Sequence, residues 1–357
     1  MKRSQWVGLA LNKFGNRAKE TLSVALDATH HVPVTVGFEM VTACNITCLH
    51  CTRWREAPVP NPLTIDEWRR LVREVLALCG PCHLNVPQGG GEPLIDARNV
   101  LDVVKLASRS GISTSIATNA TLLDEAMAQD ICDSGLGALN ISLDGMRPET
   151  HDFSRNTPGT FDKAMSAVGF MKKKGRQSMV RISAIVSGNS FEELPDLAEW
   201  VKQEKLEGIQ FNPLRPRGND WARLWPKDIE GICAALDRLI ELKNRGYPIW
   251  NTAANFEYMK YYFRDPSREY PEFLCAIHTG LIVRKTGLVQ VCRFKEPVGD
   301  VRKNSLSEIW NSSEAALRLR DIRGCKKSCI LGNAYFRPGL AERGVSFWNH
   351  MKTPWAV

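Results

Sequence analysis

The chain has 357 residues, of which 43% are hydrophobic and 24% are charged, and these values belong to globular proteins and exclude a disordered one. No run approaches the ~18–20 apolar residues of a transmembrane helix, and no long apolar stretch or cleavage site follows the basic start, so a cytoplasmic protein is expected. The net charge of +8 is compatible with an anionic substrate, a phosphate-bearing cofactor or an acidic partner. Because the basic residues are spread along the chain, solubility is the favoured explanation, and no nucleic-acid partner is predicted.

The N-terminal segment, residues 1–33, contains a predicted amphipathic helix over residues 4–27. Its apolar residues recur at helical spacing from Val7 to Ala25, and basic residues occupy the other face. Contact with a membrane surface through residues 4–27 is one interpretation. Docking of the helix on the folded domain is the favoured one.

Residues 34–245 show short apolar runs that alternate with helical stretches. Strands are predicted at Val34–Val41, His83–Val86, Ser113–Thr118, Leu139–Leu143, Val180–Ile185 and Ile209–Phe211. Helices are predicted at Thr64–Leu78, Ala97–Ser108, Asp124–Ser134, Thr160–Lys174, Phe191–Gln203 and Ile229–Arg245. Thr64, followed three residues later by Glu67, predicts a capping box at the start of the first helix.

This alternation predicts an α/β fold with a parallel sheet and right-handed crossovers. Six β/α units are too few for a closed eight-stranded barrel, so a partial (β/α)6 TIM-like barrel is expected. Ligands of such a sheet bind at the carboxyl ends of the strands. Functional motifs should therefore follow directly after strands.

A different pattern begins after a bridging segment at residues 246–270. Apolar stretches at Leu281–Arg284 and Val289–Cys292 flank a turn and predict a β-hairpin. A helix is predicted over Ser305–Leu317.

Eleven cysteines, an odd number in a chain without a secretion signal, argue against a disulfide framework and favour metal or redox chemistry. The strongest motif is the C-x3-C-x2-C loop of Cys44, Cys48 and Cys51, directly after the first predicted strand. Three thiolates on one loop can bind three irons of a [4Fe–4S] cube and leave the fourth iron without a protein ligand. Zinc is the alternative, but its structural sites take four protein ligands, and this loop has no fourth cysteine. The spacing therefore favours an iron–sulfur cluster.

Further motifs follow the next predicted strands. They are Gly89-Gly90-Gly91-Glu92-Pro93 after the second strand, Thr118-Asn119 at the third, Ser142-Leu143-Asp144-Gly145 at the fourth, and Arg155 followed by Pro158-Gly159-Thr160-Phe161. Together with the cysteine loop, and in this order, they resemble the radical S-adenosylmethionine (radical SAM) superfamily from Phe38 to Arg245. The family fold is the partial barrel expected above.

The resemblance implies that Cys44, Cys48 and Cys51 hold the reducing [4Fe–4S] cluster. It also implies a binding site for S-adenosylmethionine (SAM) formed by Gly90, Gly91, Glu92, Asn119, Ser142, Asp144 and Arg155. In the family, the glycine-rich segment holds the methionine amino group, and Arg155 would pair with the methionine carboxylate.

Four late cysteines fall in a predicted small second domain, residues 271–335, which precedes a tail at residues 336–357. They are Cys275, Cys292, Cys325 and Cys329. They resemble the auxiliary-cluster domain of many radical SAM enzymes, called SPASM or, in a shorter form, twitch. Four cysteines suit one auxiliary [4Fe–4S] cluster, and a structural zinc site is the alternative. The last pair has C-x3-C rather than C-x2-C spacing, so the ligand set stays open.

The resemblance implies an enzyme that reductively cleaves SAM with an electron from a flavodoxin- or ferredoxin-type donor. The resulting 5′-deoxyadenosyl radical would abstract hydrogen from the substrate. Oxidation or rearrangement of a small-molecule natural-product or cofactor precursor is the leading hypothesis. Maturation of a ribosomally synthesised peptide is the alternative, disfavoured because residues 1–33 are too few for a leader-binding domain. A non-catalytic iron–sulfur electron carrier would not need the SAM-binding motifs.

Overall fold

The computed structural model describes two short backbone segments, 273–275 and 334–336, and in full residues 32–33, 35–80, 82–86, 90–216, 220–269 and 280–327. The predicted N-terminal helix over residues 4–27 lies outside the described residues, as does the predicted tail apart from its first residue. No helix in these ranges is long and apolar enough to cross a membrane.

The first two thirds of the chain alternate strands with helices. The strands are β1 (Thr35–Phe38), β2 (His83–Val86), β3 (Ser113–Thr118), β4 (Ala138–Ser142), β5 (Val180–Val186) and β6 (Gly208–Pro213). The helices are α1 (Ile65–Cys79), α2 (Ala97–Arg109), α3 (Glu125–Ser134), α4 (Pro148–Arg155), α5 (Thr160–Lys173), α6 (Leu194–Gln203) and α7 (Ile229–Asn244). The predicted capping box of α1 is confirmed, because Glu67 N donates to Thr64 Oγ1 and Thr64 N donates to Glu67 Oε2.

The remaining elements are shorter. They are α8 (Ala253–Arg264), β7 (Phe273–Cys275), β8 (Gly280–Val283), β9 (Leu288–Gln290), β10 (Gly299–Asp300), α9 (Leu306–Trp310), α10 (Ser313–Arg323) and β11 (Ala334–Phe336). β8 and β9 form the predicted hairpin. β7 and β11 pair separately as a two-stranded antiparallel sheet.

The main sheet has nine strands in the order β10-β9-β8-β1-β2-β3-β4-β5-β6. Every pair from β8 through β6 is parallel. Because β1 to β6 neighbour one another in chain order, right-handed crossovers place their helices on the same face. The sheet ends at β10 and β6, which do not pair with each other. It is therefore the predicted partial barrel, with helices outside and a concave inner face.

The concave face is polar. In β2, β4, β5 and β6, buried and mostly apolar positions alternate with partly buried positions. Polar side chains at the partly buried positions are His83, Asn85, Asn140, Ser142, Arg181, Ser183, Gln210 and Asn212. Successive side chains of a strand point to opposite faces, so the apolar set packs under the helices and the polar set lines the inner face. A polar inner face suits a groove that binds a polar ligand.

Some boundaries differ from the predictions. β1 is shorter than the predicted strand Val34–Val41, because beyond Glu39 the backbone hydrogen-bonds to the loop after β2 rather than to a strand, as in Gly91 N to Val41 O. The helix predicted over Ser305–Leu317 is instead two helices, because Ser312 begins a new one by accepting a hydrogen bond from Ala315 N at 3.1 Å. The helices α4 and α8 were not predicted from the sequence pattern.

The free edge of β6 is covered by the segment from Pro248 to Asn251. Ile209 N donates to Pro248 O and Trp250 N donates to Ile209 O, both at 2.9 Å. The buried side chain of Asn251 then accepts from Phe211 N and donates to Phe211 O, both at 2.8 Å. The amide side chain thereby continues the ladder and blocks pairing with another chain.

Asn251→Ala should lower the free energy of unfolding by about 2–4 kcal/mol. It leaves two backbone groups of the fully buried Phe211 without partners, and each such loss costs roughly 1–3 kcal/mol. Asn99→Ala is the control, since it removes a hydrogen bond to Asp96 on a partly exposed helix and should cost less than about 1 kcal/mol. Urea denaturation measures both, and equal midpoints for the two variants would contradict this account of the edge.

Candidate active site

The cysteine loop leaves the sheet after β1, at the carboxyl end of the strand. Cys48 is buried, whereas Cys44 and Cys51 are partly exposed. A nitrogen donor stands near each sulfur: Asn119 Nδ2 lies 3.9 Å from Cys44 Sγ, Arg53 N donates to Cys51 Sγ at 3.4 Å, and the Arg155 guanidinium faces Cys48. N–H groups directed at sulfur favour the thiolate, which is the form of cysteine that binds metal.

The chemistry of this loop fits a cluster. Burial raises the pKa of the Cys48 thiol to about 11, and the charge of Arg155 acts in the opposite direction. Among the described residues, no three His, Cys, Asp or Glu side chains converge on one point as the ligands of a single ion would. A [4Fe–4S] cube does not require such convergence, since each of three irons takes one thiolate.

Glu92 fastens the loop after β2 to the end of β3. Its side chain is 2% exposed, and Oε1 accepts from Thr118 Oγ1 at 2.6 Å and from Leu94 N at 3.1 Å. Oε2 accepts from Asn119 N at 2.8 Å. Burial raises the pKa of Glu92, and these three donors oppose the rise. The carboxylate therefore acts as an internal anchor for the glycine-rich loop.

The backbone of this loop runs against the segment that enters the cysteine loop. Gly91 N donates to Val41 O at 2.7 Å, and Glu92 N donates to Ala43 O at 2.8 Å. A Cβ added to Gly91 would lie 1.8 Å from Ala43 O, so only glycine permits this approach. Gly90 precedes it and is partly buried, while the first glycine of the motif lies outside the described residues.

Asn119 joins the end of β3 to the cysteine loop. Its Oδ1 accepts from Thr121 N at 2.9 Å, which fixes the orientation of the amide. Its Nδ2 donates to Asn45 Oδ1 at 3.0 Å and is thereby directed toward Cys44. The structure thus places Asn119, Glu92 and the cysteine loop in one hydrogen-bonded group.

Asp144 follows β4 and is fully buried. Its Oδ1 accepts from Arg155 Nη2 at 2.7 Å and from Ile185 N at 3.0 Å, and Ser154 Oγ donates to Oδ2. Burial would raise the pKa of Asp144, but Arg155, with two nearby histidines and Ser154, lowers it to about 2. Asp144 and Arg155 therefore form a buried ion pair behind the cysteine loop. Ser142, the last residue of β4, lies on the concave side.

Arg155 ends α4 and is 6% exposed. The resemblance implies a contact with a carboxylate of the cofactor, whereas in the structure the guanidinium pairs with Asp144 and faces Cys48. Its Nε has no hydrogen-bond partner within the part of the chain that the structure describes. One donor of the guanidinium is thus left over after the ion pair with Asp144.

The structure describes the side chains of two of the four late cysteines, Cys292 and Cys325, and both are partly buried. Cys292 follows β9 and Cys325 follows α10. An ion pair between Lys295 and Asp321, at 3.8 Å, connects the two segments. Cys275 ends β7, of which the backbone alone is described, and Cys329 lies outside the described residues.

Comparison with known proteins identifies the family. Residues 38–201 match the sequence profile of the radical SAM superfamily, and residues 275–330 match that of the SPASM iron–sulfur cluster-binding domain. The chain belongs to the radical SAM superfamily and carries a SPASM domain. This radical SAM enzyme uses SAM and [4Fe–4S] clusters, including an auxiliary cluster of the SPASM domain.

Two relatives of this radical SAM enzyme come from Methanosarcina barkeri. An AdoMet-dependent heme synthase is 27% identical over 316 residues, which cover 85% of this chain and 89% of that protein. An Fe-coproporphyrin III synthase is 25% identical over 321 residues, which cover 84% and 78%. Among solved structures, native anSMEcpe with bound AdoMet and the Cp18Cys peptide matches with a TM-score of 0.64 at 18% identity, and covers 83% of this chain and 85% of that chain. The structural likeness confirms the predicted fold.

Three charged side chains near the cysteine loop are not among the residues predicted from the sequence. They are Glu39, Arg53 and Arg284. In the sequence, Glu39 could have been singled out as a candidate site residue only because it is a charged residue at the end of an otherwise apolar strand. Its compensation by Arg284 depends on the pairing of β1 with β8, which the sequence does not show.

Gly91→Ala should weaken SAM binding by about tenfold or more. The added methyl group would collide with Ala43 O, and overpacking of this kind costs roughly 1–3 kcal/mol. Gly169→Ala is the control, because a Cβ at this position of α5 meets no atom within 4 Å. Equilibrium dialysis of the reconstituted enzyme measures the dissociation constant, and wild-type affinity in Gly91→Ala would contradict the assignment of this loop.

Proposed function

We propose that this radical SAM enzyme acts on a small-molecule natural-product or cofactor precursor, with a tetrapyrrole as the first candidate. The observation that carries the proposal is the match to the AdoMet-dependent heme synthase of Methanosarcina barkeri, which extends over 85% of this chain and 89% of that protein. The second relative, named for Fe-coproporphyrin III, supports the same class of compound. The peptide held by the structural neighbour carries no weight here, because a likeness at 18% identity supports the fold alone.

We assign Cys44, Cys48 and Cys51 as ligands of the cluster that binds SAM. When bound, SAM and the reduced cluster supply a carbon-centred radical that abstracts hydrogen from the substrate. The N–H donors near each sulfur support the assignment, because they favour the thiolate form and would tune the potential of a bound cluster.

The glycine-rich loop and the ends of β3 and β4 are the proposed SAM site. Glu92 holds the loop in place, so the backbone at Gly90 and Gly91 can approach the methionine amino group closely. Asn119 and Ser142 contribute polar side chains from the neighbouring strand ends.

Arg155 is the proposed partner of the methionine carboxylate. Asp144 accepts from Nη2 and so fixes the plane of the guanidinium, while Nε remains without a partner among the described residues. A guanidinium oriented in this way is preorganised for a carboxylate. Asp144 thus has a positioning role, which its full burial supports.

Cys275, Cys292, Cys325 and Cys329 are the proposed ligands of the auxiliary cluster. The ion pair that connects the segments of Cys292 and Cys325 supports a common site. A cluster with four protein thiolates has no open iron, so it would supply an electron acceptor, which suits net oxidation of a substrate.

The iron content tests both sets of cysteines. The reconstituted wild-type enzyme should contain about eight irons, since each cube carries four. Combined C44A, C48A and C51A substitutions should leave about four irons and abolish the formation of 5′-deoxyadenosine. Cys233→Ala, at a buried cysteine of α7, is the control and should retain all the iron. About four irons together with zinc in the wild-type enzyme would contradict the auxiliary-cluster assignment.

The reaction is tested with SAM, dithionite and Fe-coproporphyrin III under anaerobic conditions. We expect 5′-deoxyadenosine to form faster with the porphyrin than without it, and the mass of the porphyrin to change, because a bound substrate presents a C–H bond to the radical. Liquid chromatography with mass spectrometry measures both products. An unchanged porphyrin and no faster formation of 5′-deoxyadenosine would argue against a tetrapyrrole substrate. Modification of a ribosomally synthesised peptide that replaces the porphyrin in the same assay would favour the alternative function.

A further inference from the structure

A group of charged residues lies next to the cysteine loop, around the end of β1. This group, called the Glu39 cluster, consists of Glu39, Arg53, Glu56, Arg284 and Arg293. Glu39 is 1% exposed, and its Oε1 lies 3.0 Å from Arg284 Nε while its Oε2 lies 3.4 Å from Arg53 Nη1. Burial raises the pKa of Glu39. The charges of Arg284, Arg53 and Arg293 lower this pKa, and the charge of Glu56 raises it.

Strand geometry places Glu39 and Arg284 on the concave side of the sheet. Phe38 packs on Trp68 of α1, with ring centroids 4.9 Å apart, so Phe38 faces the helices. The next residue, Glu39, faces the opposite way. The parallel register pairs Phe38 with Val283, so Arg284 lies beside Glu39 on the same side. Both residues stand at the carboxyl ends of their strands, where ligands of such sheets bind.

Two arginines of the Glu39 cluster lie within two residues of cysteines in the sequence, one in each cysteine-bearing region. Arg53 follows Cys51 and donates its backbone N–H to Cys51 Sγ at 3.4 Å. Arg293 directly follows Cys292. A substrate that meets the radical from SAM and then gives up an electron to the auxiliary cluster would lie between these regions.

Within the Glu39 cluster, Arg53 and Arg284 are engaged to different degrees. Arg53 is already engaged by Glu56 Oε2 at 2.7 Å. Arg284, which is 25% exposed, pairs with Glu39 through Nε, and its terminal Nη1 and Nη2 form no hydrogen bond within the described residues. A guanidinium held by a buried carboxylate, with both terminal groups available, matches the geometry of a carboxylate or a phosphate.

We propose that Arg284, oriented by Glu39, binds an anionic group of the substrate, a carboxylate or a phosphate, and that the Glu39 cluster selects anionic small molecules. The proposal deepens the proposed function and rests on it, since it names the charge class of the substrate for the same site. Arg284 is the substrate-binding residue, and Glu39 is a positioning residue that acts through it.

The test compares two probes that share one porphyrin ring and differ in whether its four carboxylates are free or esterified. Fe-coproporphyrin III carries four carboxylates, and its tetramethyl ester carries the same ring without them. Absorption titration of the holoenzyme with SAM present should show that the acid binds about tenfold or more tightly than the ester. Arg284→Gln should abolish this preference, and Arg284→Lys, which keeps the charge but loses the planar fork, should restore part of it. Arg238→Gln is the control, because Arg238 is exposed and pairs with Glu241 at 2.7 Å on α7.

Inorganic pyrophosphate, added as a competitor, distinguishes the two anionic groups. Displacement of the acid probe would assign the site to phosphate as well as carboxylate, and lack of displacement would assign it to carboxylate, so each outcome supports an anion site. Equal affinity for acid and ester, retention of the preference in Arg284→Gln, or no binding of either probe would overturn the proposal. A porphyrin that binds with the charge preference but keeps its mass during turnover would overturn the proposed reaction while leaving the anion site intact.

Discussion

Two backbone hydrogen bonds, from Gly91 N to Val41 O and from Glu92 N to Ala43 O, hold the site together. They bring the loop after β2 so close to the entry of the cysteine loop that no side chain fits at Gly91. The carboxylate of Glu92 then binds the end of β3, and Asn119 at that end returns to the cysteine loop. Three strand ends thus form a closed ring of hydrogen bonds around the entry of the cysteine loop, on the side of Cys44.

A buried charge supports the other side of the loop. Removal of either Asp144 or Arg155 would leave an uncompensated buried charge, at a cost of roughly 3–5 kcal/mol. Replacement of a buried ion pair by an apolar pair of similar volume is often neutral for stability, so stability alone does not explain these residues. Arg155 also faces Cys48, whose burial disfavours the thiolate form. One guanidinium therefore interacts with both the carboxylate of Asp144 and the sulfur of Cys48. We infer that the Asp144–Arg155 ion pair orients the guanidinium of Arg155.

Local patterns predicted much of this molecule. The spacing of apolar residues identified the six β/α units, and Thr64 with Glu67 marked the start of α1, because both signals lie within a few residues of chain. The motifs after the strands indicated the family for the same reason. The pairing of β8 with β1 could not be predicted, since it joins segments far apart in the sequence. The partner of Glu39 follows from that pairing and was missed with it.

The pairing of β8 with β1 also determines how the two cysteine-bearing regions are related. β8 continues the main sheet through β9, which leads to Cys292, so β1 and β9 belong to one hydrogen-bonded sheet. Because β9 runs antiparallel to β8, the two cysteine-bearing segments leave this sheet at opposite ends. Neighbouring strands lie about 4.8 Å apart and cannot separate without loss of their hydrogen bonds. A region joined by a flexible linker could move relative to the barrel, whereas here the shared sheet fixes the position of β9 relative to β1. The Glu39–Arg284 ion pair joins the carboxyl ends of β1 and β8, so the charge that would select the substrate is fixed in place by the pairing of these two strands.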